Sequence, residues 1–233
     1  MEAEVVMETL MLRKSGRSRE ADRRARILGA ALAMFHEEGY AAVSMSDILS
    51  RIGGSKGTLY HYFSSKEELF AAAMSVRFLQ MRLILGEIQI VEGLFRNVLQ
   101  HFGESIVELL FRDDWIATFR LVAAETAHIP DLGKMFFDAA LDSGRERVAE
   151  LLSRGIAQGA LKADDLREMS RTFLDLLTSD LHERRLCNVM PEPSRQSISR
   201  IAERAIRQFL AIYGREDVRT SSVRFAGPRA LPG

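Results

Sequence analysis

All five prolines, Pro130, Pro191, Pro193, Pro228 and Pro232, lie beyond residue 129. Up to that point apolar side chains recur at intervals of three and four: Ile27, Ala31, Met34, Phe35, then Leu69, Ala73, Met74, Phe78, Met81, Leu85. A long stretch without a helix breaker and without sustained period-two alternation leaves helix as the only regular structure that buries those stripes. The pattern resumes at Leu166, Met169, Phe173, Leu176, Leu177 and at Ile198, Ile201, Ala205, Phe209. The chain therefore reads as all-α.

Cap residues set the boundaries. A first helix runs from about Glu20 to Gly39, a natural C′ glycine. Ser44 with Asp47 three residues later resembles a capping box and opens a short helix to about Ile52. Gly53 and Gly54 turn the chain, and Ser55 can cap a second short helix through Phe63. The run Ser64-Ser65-Lys66-Glu67-Glu68 starts a long helix to about Leu85, with its acids in the first turn. Further helices are expected near 91–112, 114–128, 131–158, 164–189 and 194–213. Residues 1–18 read as a flexible arm and 214–233 as an unstructured tail, with little in either to bury.

The 233 residues carry no net charge, yet residues 13–66 hold ten Lys/Arg against five Asp/Glu, and the remainder is acidic by the same margin. A basic module on an acidic body is the footprint of a protein that meets a polyanion at one end. The lone Cys187 fits a reducing cytosol. No run of about 18 apolar residues suggests a membrane span, and the acidic opening MEAEVVMETLML does not look like an export signal. These features point to a cytoplasmic protein without a membrane partner.

The most informative stretch is SRIGGSKGTLYHYFSSKEELF, Ser50 to Phe70. A phosphate loop would need GxxxxGK followed by Ser or Thr between a strand and a helix, whereas Lys56 precedes Gly57 and helices flank it. A plain interhelical turn accounts for Leu59, Tyr62 and Phe63 as an apolar seat on Phe35, Ile48 and Leu69, but not for the Lys-Gly-Thr face. A helix-turn-helix accounts for both: its second helix can enter the DNA major groove. Gly53 then permits the sharp turn and Gly57 keeps side-chain bulk away from DNA. Lys56 supplies charge, and Thr58 offers a hydroxyl and a methyl to base edges. Tyr60 and His61 reach phosphate oxygens, while Lys66 and the start of the next helix make a second anion site.

The segment ILGAALAMFHEEGYAAVSMSDILSRIGGSKGTLYHYFSSKEELF resembles the DNA-binding domain of the TetR family of bacterial transcriptional repressors over roughly 45 residues. The resemblance implies an N-terminal three-helix domain at 19–66 and a C-terminal helical domain at 67–213 for ligand binding and dimerisation. It places Ser55, Lys56, Gly57 and Thr58 at recognition-helix positions, and Ser44, Tyr60, His61 and Lys66 where phosphates are held. Leu49 and Ile52 stand where alanines are usual and Gly54 where valine is usual; the two larger residues are expected to fill the space that Gly54 leaves.

The C-terminal region is similar to that of AcrR-like efflux regulators. That similarity implies an apolar or amphipathic effector within the bundle and a homodimer built on helices near 164–189 and 194–213. Leu174 and Leu181 face differently from Leu166, Phe173 and Leu177, which suits a second buried face. Candidate pocket residues are Phe78, Met81, Phe102, Ile106, Trp115, Phe119 and Phe137, with Arg120, His101 and His128 as polar anchors. His182, Glu183 and Cys187 do not share a helix face, so no metal is expected; nor is a cofactor or a catalytic constellation. The implied function is a ligand-responsive repressor of a pseudo-palindromic operator, controlling an efflux or transport gene. The alternative is a TetR-like ligand-binding protein without specific DNA recognition.

Overall fold

The computed structural model describes residues 19–88, 90, 93–179, 181–215 and 224–225. The helices, in order, are α1 (Arg19–Glu38), α2 (Met45–Ile52), α3 (Lys56–Tyr62), α4 (Lys66–Glu87), α5 (Phe95–Leu110), α6 (Asp113–Glu125) and α7 (Pro130–Phe136). A π-helical segment (Phe137–Asp142) leads into α8 (Ser143–Ala157), then α9 (Leu166–Thr178), α10 (Leu181–Leu186) and α11 (Arg195–Tyr213). Two short strands, β1 (Gly93–Leu94) and β2 (Arg224–Phe225), complete the order. The arm at 1–18 lies outside the described residues.

The chain forms two compact units, one from residues 1–81 and 117–139, the other from 82–116 and 140–233. The expected helix-turn-helix segment, 19–66, falls wholly within the first. There α1 buries Ile27, Leu28, Ala31, Met34 and Phe35, and α4 contributes Leu69, Phe70, Ala73, Met74 and Phe78. Phe35, Tyr40 and Phe70 form a ring cluster with centroids 4.6–5.7 Å apart. Among the described residues, α4 is long and apolar enough by length and composition to cross a bilayer, contrary to the sequence expectation. Its apolar residues instead supply core, and its last turn buries Leu85 within the second unit.

In the second unit α11 packs against α5 and α9, and α9 against α8. Phe173 of α9 meets Phe209 of α11 edge to face at 5.2 Å. Gly103 lets α5 approach closely: a Cβ there would lie 3.3 Å from Leu177 Cδ2 and 3.6 Å from Ala202 Cβ. The buried Arg185 side chain closes the end of α5. Its Nε and Nη2 donate to the Phe111 carbonyl at 3.3 and 3.1 Å, and it pairs with Asp113.

Three expectations are corrected. The single helix expected at 131–158 is interrupted by the π segment. Its buried residues Leu132, Phe136, Ala140, Gly144 and Val148 fall four apart, a spacing that outruns the 3.6-residue α period by roughly 0.4 residue per step. Wide i→i+5 turns absorb that excess. The helix expected at 164–189 stops at Ser179, which takes φ 47. One residue earlier, Thr178 donates its hydroxyl to the Leu174 carbonyl, a local bond that competes with helix continuation. The tail expected to be unstructured from 214 pairs through its backbone at described positions. Gly214 forms an antiparallel bridge with Leu161, Arg215 N–H donates to the Ala160 carbonyl at 3.2 Å, and β2 runs antiparallel to β1.

Candidate nucleic-acid interface

Local chemistry builds the first three helices. Ser44 caps α2 by accepting the Asp47 N–H at 3.2 Å, and the Asp47 carboxylate returns by accepting the Ser44 N–H at 2.8 Å. These bonds to Ser44 hold the Asp47 carboxyl below its ordinary range. Ser55 caps α3, accepting the Thr58 N–H at 3.3 Å, and its hydroxyl lies 3.0 Å from that of Thr58. Between them Gly53 has φ 70 and Gly54 φ 117, conformations that a side chain disfavours. Valine, usual at the second position, would be strained here.

Leu59 and Phe63 are fully buried and seat α3 on the core, burial worth about 1.5–3 kcal/mol for each side chain. Ile48 anchors α2 in the same way. The opposite face of α3 is open. Lys56, Gly57, Tyr60 and His61 are exposed, Tyr60 at 51%. Gly57 lies inside the helix with a Cβ position that would meet only Ser55 Oγ, at 3.9 Å. Nothing in the fold asks for glycine there, although it costs a helix up to about 1 kcal/mol against alanine.

The remaining expected contact residues have internal duties. Ser44 and Ser55 are caps, Thr58 is tied to Ser55, and the Lys66 ammonium sits 4.2 Å above the Tyr40 ring and 3.4 Å from the Ala41 carbonyl. Ser65 accepts the Glu68 N–H at 3.2 Å, so the start of α4 is capped from within. The Tyr40 hydroxyl donates to Glu67 at 3.1 Å; burial, reinforced by that carboxylate, pushes its pKa up to about 12. Leu49 and Ile52 do not fill the space beside Gly54. Both are half-buried, and with Ile27, Leu59 and the two glycines they line a cleft of about 180 Å³ bordered by Arg23 and Arg26.

The expected effector residues divide between the two units. In the first, Phe78 and Met81 are buried, Phe119 and Arg120 half-buried, and Phe137 is 48% exposed. Phe78, Phe119 and Phe137 converge on Phe136, with centroids at 5.5, 5.3 and 6.2 Å. Sequence reasoning passed over this central ring because its spacing from Leu132 looks like ordinary core. In the second unit Phe102, Ile106 and Trp115 are fully buried. His101 and His128 are exposed and do not act as interior anchors.

In the first unit Arg77 and Thr118 are buried polar residues: Arg77 Nε donates to Thr118 Oγ1 at 2.9 Å, and that hydroxyl lies 3.3 Å from His36 Nε2. A lone arginine within the apolar run MSVRFL was the available signal. His182 packs edge-on against Phe111 at 6.3 Å, and burial holds its pKa below the ordinary histidine value; Cys187 is exposed.

Known proteins share this arrangement. Residues 27–73 match the family described as bacterial regulatory proteins, tetR family, and residues 97–215 match the AefR-like transcriptional repressor C-terminal domain. The repressor AcnR of Corynebacterium diphtheriae is 28% identical over 155 residues, 66% of this chain and 75% of its own. A TetR transcriptional regulator from Agrobacterium tumefaciens superposes with a TM-score of 0.70 at 26% identity, covering 85% of this chain and 98% of its own. The flavonoid-responsive regulator FrrA does so with a TM-score of 0.67 at 25% identity, covering 84% and 98%.

Proposed function

This chain belongs to the TetR family of transcriptional regulators, and from that premise we propose that it is a homodimeric, effector-responsive repressor reading a pseudo-palindromic operator through α3. The observation that carries the reading is Gly57. A Cβ there would meet only Ser55 Oγ, at 3.9 Å, so packing does not require the glycine, and its place on the exposed face of α3 beside Lys56 suits close approach of a DNA backbone or base edge. Lys56 and Thr58 then face base edges, Tyr60 and His61 face phosphates, and Ser44 and Ser55 hold the two helices in register. Two copies of α3 would enter successive major grooves about 34–36 Å apart.

Dimerisation through α9 and α11 is supported by apolar residues that the chain leaves partly uncovered. Leu174, Ile198 and Ile201 are half-buried, whereas Phe173, Leu177 and Phe209 on the inner faces are sealed. An apolar or amphipathic effector is supported by the ring cluster around Phe136 and by FrrA, which is flavonoid-responsive. Such an effector releases DNA only through different affinity for the bound and released states. The target is an efflux or transport gene, as the sequence resemblance to AcrR-like efflux regulators implies, although the family model that the C-terminal region matches is described as AefR-like, and the protein works in the cytoplasm beside the chromosome.

Selection of duplexes from a random pool, followed by retardation assays, tests the reading. Wild type should enrich an inverted repeat, and Lys56→Ala should lose it while remaining a folded dimer. Enrichment of no sequence would favour a ligand-binding protein without DNA recognition, a reading for which the unusual Gly54 conformation is the motive.

A further inference from the structure

The six cations of residues 20–66 fall into two classes. Three are engaged by other groups of the protein. Arg51 makes a two-bond pair with Glu37, at 2.6 and 3.1 Å. The Arg24 guanidinium lies 5.3 Å over the Phe63 ring, and Lys66 is held over Tyr40. Three acids are likewise engaged: Glu68 accepts the Ser64 N–H and hydroxyl at 2.7 and 2.6 Å, Glu67 accepts from Tyr40, and Asp47 caps α2.

Arg23, Arg26 and Lys56 are different. All three are exposed, and among the described residues none has an ion-pair or hydrogen-bond partner. Arg23 and Arg26 lie three residues apart on α1 and border the same cleft as Gly53, Gly54, Ser55 and Thr58, which sets two uncommitted guanidinium groups beside the start of α3. The glycines at 53 and 54 have no side chain to stand between them and the solvent in front of the turn, since a Cβ at either position would meet nothing within 4 Å.

We propose that Arg23 and Arg26 form a second contact strip that grips the DNA backbone next to the bases read by α3. Guanidinium groups suit it, because a planar fork can hold a phosphate by two bonds at once. The strip carries no sequence information; it adds affinity and fixes the angle at which α3 enters the groove. It rests on the reading of α3 as the DNA-contacting helix. It also reassigns part of the charge: the phosphate role that the sequence gave reason to expect of Lys66 passes to α1.

Salt dependence of binding to the selected duplex measures it. Three uncommitted cations per protomer make six contacts in a dimer, and log K should fall with log salt at a slope of about −5. The double variant R23Q/R26Q should reduce that slope to about −2 and weaken matched and mismatched duplexes in the same ratio, by about tenfold or more at low salt. R23K/R26K should recover most of the slope, and Arg51→Gln, whose partner is Glu37, should leave it unchanged. Thermal melts establish that each variant is folded, and the single variants should each show about half the effect. A double variant with the wild-type slope refutes the strip, provided that Lys56→Ala still destroys binding. If Lys56→Ala binds like wild type, the reading of α3 is what fails.

Discussion

Two helical glycines, Gly57 in α3 and Gly155 in α8, occupy opposite circumstances. A Cβ on Gly155 would lie 2.5 Å from Phe95 Cζ, 2.8 Å from Cε2 and 3.1 Å from Leu161 Cδ1. Phe95 and Leu161 are both buried, so the fold itself requires the missing side chain. A Cβ on Gly57 would meet only Ser55 Oγ, at 3.9 Å, so the fold itself does not require the missing side chain. The same residue type in the same secondary structure is thus a packing requirement in one place and is left free by the fold in the other. Only the surroundings distinguish them.

The largest expected effect is on the packed side of this comparison. Gly155→Val should force the Phe95 ring out of place and destabilise the second unit by about 1–3 kcal/mol, the usual cost of overpacking. Chemical denaturation would show it as a lower midpoint. A variant as stable as wild type would remove the claim that Gly155 is a packing residue.

On the other side, the duties of Ser44 can be separated. Ser44→Ala removes the α2 cap and should cost about 1 kcal/mol, whereas Ser44→Asn keeps a capping side chain and should retain both stability and operator binding. Stability retained with binding lost in the asparagine variant would show that the hydroxyl also touches DNA.

The smallest effect is in the pH dependence, where the two regions should part. Burial lowers the folded-state pKa of His182. The unfolded chain therefore takes up the proton first, and stability falls as pH drops below about 6.5. In the first unit Asp47, Glu37 and Glu68 are held below their ordinary values, chiefly by hydrogen bonds from Ser44, Arg51 and Ser64. Their stabilisation is present above the unfolded carboxylate range, about pH 4, and is lost only as pH falls through the folded values. His182→Gln should flatten the stability profile between pH 7 and 5 and leave the acid limb in place. An unchanged slope in that window would contradict the burial argument.

The helix-turn-helix was legible because local signals wrote it: Ser44 with Asp47, Ser55 before Lys56, and the paired glycines at 53 and 54 each act within a few residues of themselves. What escaped notice depends on partners distant in the chain. The pairing of Gly93–Leu94 with Arg224–Phe225 is made by backbone atoms and leaves no side-chain pattern. Phe136 differs from other buried phenylalanines only in the three rings that surround it. The reach of Arg77 to Thr118 spans 41 positions. Among the candidate contact residues, the sequence named Lys56, Tyr60 and Lys66 alike, and only the fold shows Lys66 engaged over Tyr40 while Lys56 stands open.

The most direct test of the account is to replace Gly57 with leucine and to measure thermal stability and affinity for the selected duplex on the same preparation. The account predicts a melting temperature no lower than wild type, since leucine favours helix and meets empty space, together with at least about a tenfold loss of affinity, equivalent to 1.4 kcal/mol. Undiminished binding by a folded Gly57→Leu protein would mean that nothing approaches this face of α3, and the proposed interface would be wrong.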